Sequence, residues 1–112
     1  SVDVITCAAP NLWGFWAPHD ITEQKIAAVH RSRAERILQL AASEGAEVLI
    51  LGAFGCGAFH NPPEIVAATW AEAVKAYRQQ FETIEFAIVS NKDRPSHNYS
   101  VFHRIMTNAF PD

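Results

Sequence analysis

One stretch limits the folds open to this chain more than any other. In "EVLILGAFGCGAFHNPPE", residues 47–64, an uninterrupted apolar run breaks into a segment holding three of the chain's five glycines, Gly52, Gly55 and Gly57. A run without polar alternation marks a strand covered on both faces, as in a parallel sheet. Beyond the glycines, "NPPE" reads as a helix start, with Asn61 as N-cap, Pro62 at the first helical position and Glu64 completing a capping box. Glycine loses more freedom on folding than any other residue, so the cluster implies left-handed backbone or a close approach to it. In open α/β sheets a strand, a glycine turn and a helix in this order lie at the carboxyl edge of the strands, where ligands bind.

The flanking segments continue the alternation. "VDVIT" (2–6) has the β-branched, alternating character of a short strand, and 7–19 has the prolines and aromatics of a long loop. Asp20 and Glu23 stand at capping-box spacing before a helical pattern that places Ile26, Val29, Arg33, Ile37, Leu40 and Ala41 on one face and stops near Gly45. The helix after the glycine loop is expected to bury Val66, Trp70, Ala73, Val74 and Tyr77. A third strand is expected over 84–90, then a loop over 91–97 and a last helix with Phe102, Ile105, Met106 and Ala109 on one side. Strand, helix, strand, helix, strand, helix implies an α/β fold with a mostly parallel sheet and right-handed crossovers. Three strands make a thin sheet. Together with a start that carries no Met, this gives the expectation that residues 1–112 are one part of a larger domain, with an unpaired strand edge and apolar surface, and no second domain.

Composition narrows the function classes. With 49% hydrophobic and 19% charged residues the chain is globular in type rather than disordered. A net charge of -3 and no Lys/Arg cluster argue against a nucleic-acid partner, which needs a basic face. No apolar run approaches the roughly 20 residues that cross a bilayer, and the N-terminus lacks the order of a signal peptide, so the expectation is a cytoplasmic protein that is not in a membrane. Cys7 and Cys56 are too few for a disulfide framework, both are expected to be reduced, and no Cys/His spacing fits a metal site.

Two readings of the glycine loop fit its residues: a cradle for a phosphate or pyrophosphate, or a tight turn whose glycines meet positive-φ demands. The nucleotide fingerprints fail, because a dinucleotide-binding G-x-G-x-x-G would need glycine where His60 stands, and a P-loop needs a lysine that is absent. Cys56 and His60 could form a nucleophile and base, but no third group orients them.

The same residues carry a family resemblance. "VLILGAFGCGAFHNPPEIVA", preceded by "VDVITCAAPN" and followed by "FAIVS" and "NYSVF", resembles the C-terminal half of the microbial-type poly(ADP-ribose) glycohydrolases of the macrodomain superfamily. The resemblance implies a partial three-layer macrodomain-like α/β fold. It implies further that Gly55, Cys56, Gly57 and Ala58 wrap the diphosphate of ADP-ribose with their backbone, and that Phe59 packs on the neighbouring ribose. Asn98, Tyr99 and Phe102 match the family's segment on the adenosine side, although the helical spacing of Phe102 with Ile105 and Met106 favours core burial over a stack on adenine. Asn11, at the exit of the first strand, is a further candidate ligand contact or an ordinary turn residue.

The family's catalytic signature, three glycines followed shortly by Gln-Glu-Glu, does not occur in these 112 residues. No catalytic residue is therefore assigned in this chain, and the carboxyl acid that glycosidic cleavage needs is expected in an absent N-terminal half. No metal or organic cofactor is expected. Two function classes follow: part of an ADP-ribose glycohydrolase acting on poly(ADP-ribose) or ADP-ribosyl groups, or a non-catalytic ADP-ribose-binding module. The implied partners are ADP-ribose or its polymer and the rest of the domain.

Overall fold

The computed structural model describes Ala9, Leu12 and residues 22–57, 60–91 and 93–111. The strand expected over 2–6 and, apart from Ala9 and Leu12, the loop after it, with Asn11, fall outside them. In chain order the described elements are α1 (Glu23–Ser43), β1 (Val48–Leu51), α2 (Pro63–Tyr77), a short 3-10 turn (Arg78–Gln80), β2 (Thr83–Phe86) and α3 (His97–Ala109).

β1 and β2 pair in parallel, Val48 opposite Thr83 through Leu51 opposite Phe86, so α2 is the crossover between neighbouring parallel strands. Two more bonds extend the pairing at its ends: Glu82 N–H donates to the Glu47 carbonyl at 2.7 Å and Ala87 N–H to the Leu51 carbonyl at 2.7 Å. Parallel strands cannot be joined by a tight turn. The helical residues between 63 and 77 are thus what permits the pairing.

α1 starts at Thr22, whose hydroxyl accepts from Lys25 N–H at 3.2 Å, and not at Asp20 as the capping-box spacing suggests. Its buried stripe is Ile26, His30, Ala34, Leu38 and Ala41. The expected face is displaced by about one residue: Val29, Arg33 and Ile37 are half-buried, and Leu40 is exposed. The reason is steric as well as hydrophobic, because Ala34 at 0% exposure lets α1 approach the core more closely than Arg33 could. The helix ends as expected in a Schellman motif, with Gly45 at φ 76°, its N–H bonded to the Ala42 carbonyl and Ala46 N–H to the Ala41 carbonyl.

α2 is the central element. Val66, Ala67, Trp70, Ala73 and Val74 are buried against α1 on one side and the sheet and α3 on the other, while Tyr77 is half-buried at the rim. A run of edge-to-face aromatics, Phe54, Trp70 and Phe86, crosses this core and ends at Phe102 of α3, whose ring lies 5.7 Å from that of Phe86. Phe102 is 1% exposed. On β1 the outward-facing Val48 and Ile50 are 55% and 65% exposed, so the apolar run is not covered on both faces as expected from its sequence. No helix of the described residues is long and apolar enough to cross a membrane.

The Phe102 ring anchors α3 to the sheet, and removing it leaves a cavity between two layers. Phe102→Ala is expected to lower unfolding free energy by about 3–5 kcal/mol, whereas exposed Val89→Ala is expected to stay within about 0.5 kcal/mol, both read by urea denaturation.

Candidate functional site

Because β1 and β2 run in parallel, the loops that leave their carboxyl ends share one edge of the sheet, and α2 and α3 begin there. The β1 loop contains Gly52, Gly55 and Gly57. Two side chains, one from each side, hold it.

From α1 comes His30, fully buried, whose Nε2 lies 2.7 Å from Asn61 Oδ1. Asn61 is itself 2% exposed, and its Nδ2 donates to the Gly55 carbonyl at 2.8 Å. The backbone N–H of Asn61 donates to the same carbonyl, also at 2.8 Å. With its nitrogen facing that carbonyl, the amide must turn its oxygen to His30, and the imidazole proton therefore sits on Nε2. The sequence pattern makes Asn61 the N-cap of the second helix. Instead Pro62 occupies that position with no side-chain cap bond, and the helix opens at Pro63. Two prolines in succession remove two of the donors a cap would satisfy, which leaves the Asn61 amide for the loop.

Gly55 is tied to this arrangement by its own geometry. Its φ is 76°, and a Cβ there would stand 2.5 Å from Ala9 Cβ and 2.7 Å from Asn61 Nδ2. The close approach expected at the glycines is thus, at this position, an approach of the chain to itself. His60, at φ 56°, also takes the left-handed region, with its N–H on the Gly57 carbonyl at 3.0 Å.

From α3 comes Asn98, whose Nδ2 donates to the Cys56 carbonyl at 3.4 Å. In a trans peptide the N–H points away from the carbonyl. Asn98 therefore turns the Gly57 N–H away from α3. Around Gly57 there is room among the described residues: an added Cβ meets none of them within 4 Å. The Cys56 N–H, by contrast, is committed inward to the Ala53 carbonyl at 3.0 Å, so that expected contributor to an anion cradle is already in use. Ala58 and Phe59, expected to wrap diphosphate and ribose, lie outside the described residues.

Other expected residues separate in the structure. Tyr99 is 41% exposed and stacks on His103, with centroids 5.7 Å apart. Phe102 offers no ring face to a ligand, because it is buried among core side chains; the candidate adenine contact is corrected to a core residue. Burial, helped by the Glu64 carboxylate, pushes the Cys56 thiol up to about 11, and its Sγ lies 3.8 Å from the Phe54 carbonyl. A thiol protonated at neutral pH is a poor nucleophile. No group of His, Cys, Asp and Glu among the described residues could hold a metal ion. At the helix starts, Glu64 of α2 and His97 of α3 come within 3.3 Å, though both side chains are largely exposed.

His30 does not stand out in the sequence, where Val29 and Arg33 take its place on the expected buried face. The available signal is the i, i+4 series Ile26, His30, Ala34, Leu38, in which one polar residue interrupts an otherwise apolar row.

The two glycines should respond differently to a methyl group. Gly55→Ala is expected to cost at least about 2 kcal/mol, from left-handed backbone and the clash with Asn61, and Gly57→Ala less than about 0.5 kcal/mol in the same denaturation series. Equal costs would contradict this loop geometry.

No family model matches the chain, and no curated protein matches it at the level of significance that the solved structures reach. Among these structures, a point-mutant poly(ADP-ribose) glycohydrolase from Deinococcus radiodurans in complex with ADP-ribose is 34% identical with a TM-score of 0.67, over 77% of this chain and 35% of that one. Another structure of the Deinococcus radiodurans enzyme with ADP-ribose gives 34% and 0.67 over 76% and 34% of the two chains. The Thermomonospora curvata poly(ADP-ribose) glycohydrolase is 29% identical, with a TM-score of 0.62, over 82% and 33%. This chain thus spans about a third of the length of the proteins it matches. The α/β arrangement of helices on a short parallel sheet agrees with a partial macrodomain-like fold of that kind. In fold and in sequence, over about three quarters or more of its length, the chain is similar to one part of the bacterial poly(ADP-ribose) glycohydrolases.

Proposed function

We propose that this chain carries the diphosphate-holding loop of an ADP-ribose-recognising domain of the poly(ADP-ribose) glycohydrolase type, and corresponds to the C-terminal part of that domain. The observation that carries the reading is the Gly57 peptide. It is exposed at the edge of the parallel strands where α2 and α3 begin, with no described residue within 4 Å of where a Cβ would stand, and its N–H lies opposite the Cys56 carbonyl that Asn98 holds. Helix N-termini and outward backbone N–H groups favour an anion. The similar Deinococcus radiodurans structures were solved with ADP-ribose, a ligand with such an anion at its centre.

In this reading Gly55 shapes the loop, Gly57 and Ala58 offer N–H groups to the diphosphate, Cys56 contributes through its carbonyl's anchorage to Asn98, and Phe59 packs on the adjoining ribose. Asn11 and Tyr99 border the ligand. No residue of this chain is given the acid's role in glycosidic cleavage, since its sequence holds neither the triple glycine nor the Gln-Glu pair. Hydrolysis of poly(ADP-ribose) or of ADP-ribosyl groups belongs to the rest of such a domain, which is then the chain's first partner, and a cytoplasmic setting suits the free Cys56 thiol. That same lack of a carboxyl acid favours, as second reading, an ADP-ribose-binding module without catalysis.

Gly57→Val is a clean probe, because its Cβ meets no described residue within 4 Å and the backbone needs no positive φ. Calorimetric titration of ADP-ribose is expected to show binding to the unmodified chain and at least a tenfold loss in Gly57→Val, at unchanged stability. No binding to the unmodified chain, or equal binding to both, removes the loop from the site. Release of ADP-ribose from the polymer, assayed on this chain joined to the rest of such a domain, separates the two readings: release supports the glycohydrolase, and binding without release the non-catalytic module.

A further inference from the structure

Buried imidazoles normally satisfy both ring nitrogens. His30 does not: Nε2 donates to Asn61, while Nδ1 is buried and has no hydrogen-bond partner among the described residues. Beside the ring stands Phe54, perpendicular to it with centroids 5.6 Å apart, and behind Phe54 lies Trp70 of α2; neither carries an oxygen or nitrogen lone pair to accept a second ring proton. A second proton on His30 would therefore be an unpaired donor and an unpaired charge in the same apolar pocket.

We propose that His30 is a positioning residue for the glycine loop, holding Gly55 through Asn61 only while its Nδ1 is unprotonated, so that acid releases the loop. Among the described residues the Gly55 carbonyl takes two hydrogen bonds, both from Asn61, whose amide oxygen lies on His30. When the ring gains its second proton, the cheapest escape is for α1 and the loop to part at this contact. The Asn61 amide and the Gly55 peptide then lose their fixed orientation together.

The surroundings set the sign. Burial lowers the pKa of His30 from the ordinary imidazole value, the Asn61 contact opposes this, and the Arg33 guanidinium, one turn along α1, adds to the lowering. Asn61 and Phe54 face the ring from the loop and carry no charge. The titratable groups of the loop and the first turn of α2 are Cys56, His60 and Glu64, and Glu64 is directed to His97 at the starts of α2 and α3. A depressed folded pKa means that the ordered loop is fully present above the unfolded value of about 6.5 and is lost as pH falls through the folded one. For an anionic ligand this runs against simple electrostatics, since a protein that gains protons should hold an anion more firmly.

The bearing on ADP-ribose rests on the site proposed above, so the test reads the loop with and without it. In 15N NMR of the unmodified chain, the Gly55, Cys56 and Gly57 amide signals are expected to shift together below pH 6.5, with the midpoint of the His30 ring. In His30→Gln, whose amide can still donate to Asn61 but does not titrate, they are expected to hold still over that range. Loop amides that stay fixed while His30 titrates, or that move only with global unfolding, overturn the coupling. So does a titration that His30→Gln leaves intact. Where ADP-ribose binds, its affinity is expected to fall by up to about tenfold for each pH unit between about 6.5 and the folded midpoint, and to level off below it. Absence of ADP-ribose binding at every pH removes the ligand reading alone, because the amide shifts decide the coupling without it.

Discussion

The turn of the glycine loop at Gly55, on which the proposed ligand edge is built, depends on one uncharged side chain placed in the core. Asn61 accepts from His30 and donates to Gly55 with both its amide and its backbone N–H, and so ties the first helix, the glycine loop and the start of α2 in a single contact. A charged residue could not take this place at 2% exposure without a partner, and a shorter polar residue could not span helix and loop. The two prolines that follow make the arrangement possible: by removing N–H groups from the helix start they leave the amide with no cap to provide.

The parallel pairing of β1 with β2 supplies the second fixed relation. It brings two strand exits to the same edge, and with them two loops and two helix starts. The loop before α3 is closed by its own hydrogen bonds, Ser96 Oγ to the Val89 carbonyl and Ser96 N–H to Ser90 Oγ, while the same Ser96 hydroxyl caps α3. A rigid α3 start is what allows Asn98 to reach across to the Cys56 carbonyl. The orientation of the Gly57 peptide is thus set by the sheet through α3, and that of Gly55 by α1 through Asn61.

Much of this order is legible in the sequence because it depends on local rules. The apolar run before the glycines, the helix after the prolines, the glycine stop at Gly45 and the core role of Trp70 each follow from pattern or backbone preference within a few residues. The parts that are not legible depend on contacts distant in sequence. Asn61 has the composition and position of an N-cap, yet a partner 31 residues earlier claims its side chain. The buried stripe of α1 is displaced by one residue because small Ala34, not long Arg33, meets the core, and a choice between adjacent stripes needs the opposing surface. Phe102, which both the family likeness and helical spacing single out, is settled by its neighbours Phe86 and Val101 as core. The exposed Val48 and Ile50 show the limit of reading burial from hydrophobicity alone.

A loop shaped by its own protein lowers the entropic cost of binding. If the glycine segment were ordered by the ligand, each residue fixed would cost about 1–2 kcal/mol of backbone entropy at the moment of association. In this chain the left-handed Gly55 and His60 and the inward Cys56 N–H are already set by contacts within the protein, so that cost falls on folding. What is left for a ligand is the side of Gly57, where no described residue stands within 4 Å of an added Cβ. Glycine serves two different ends two residues apart: at 55 because the protein comes too close for a Cβ, and at 57 because the protein stays away.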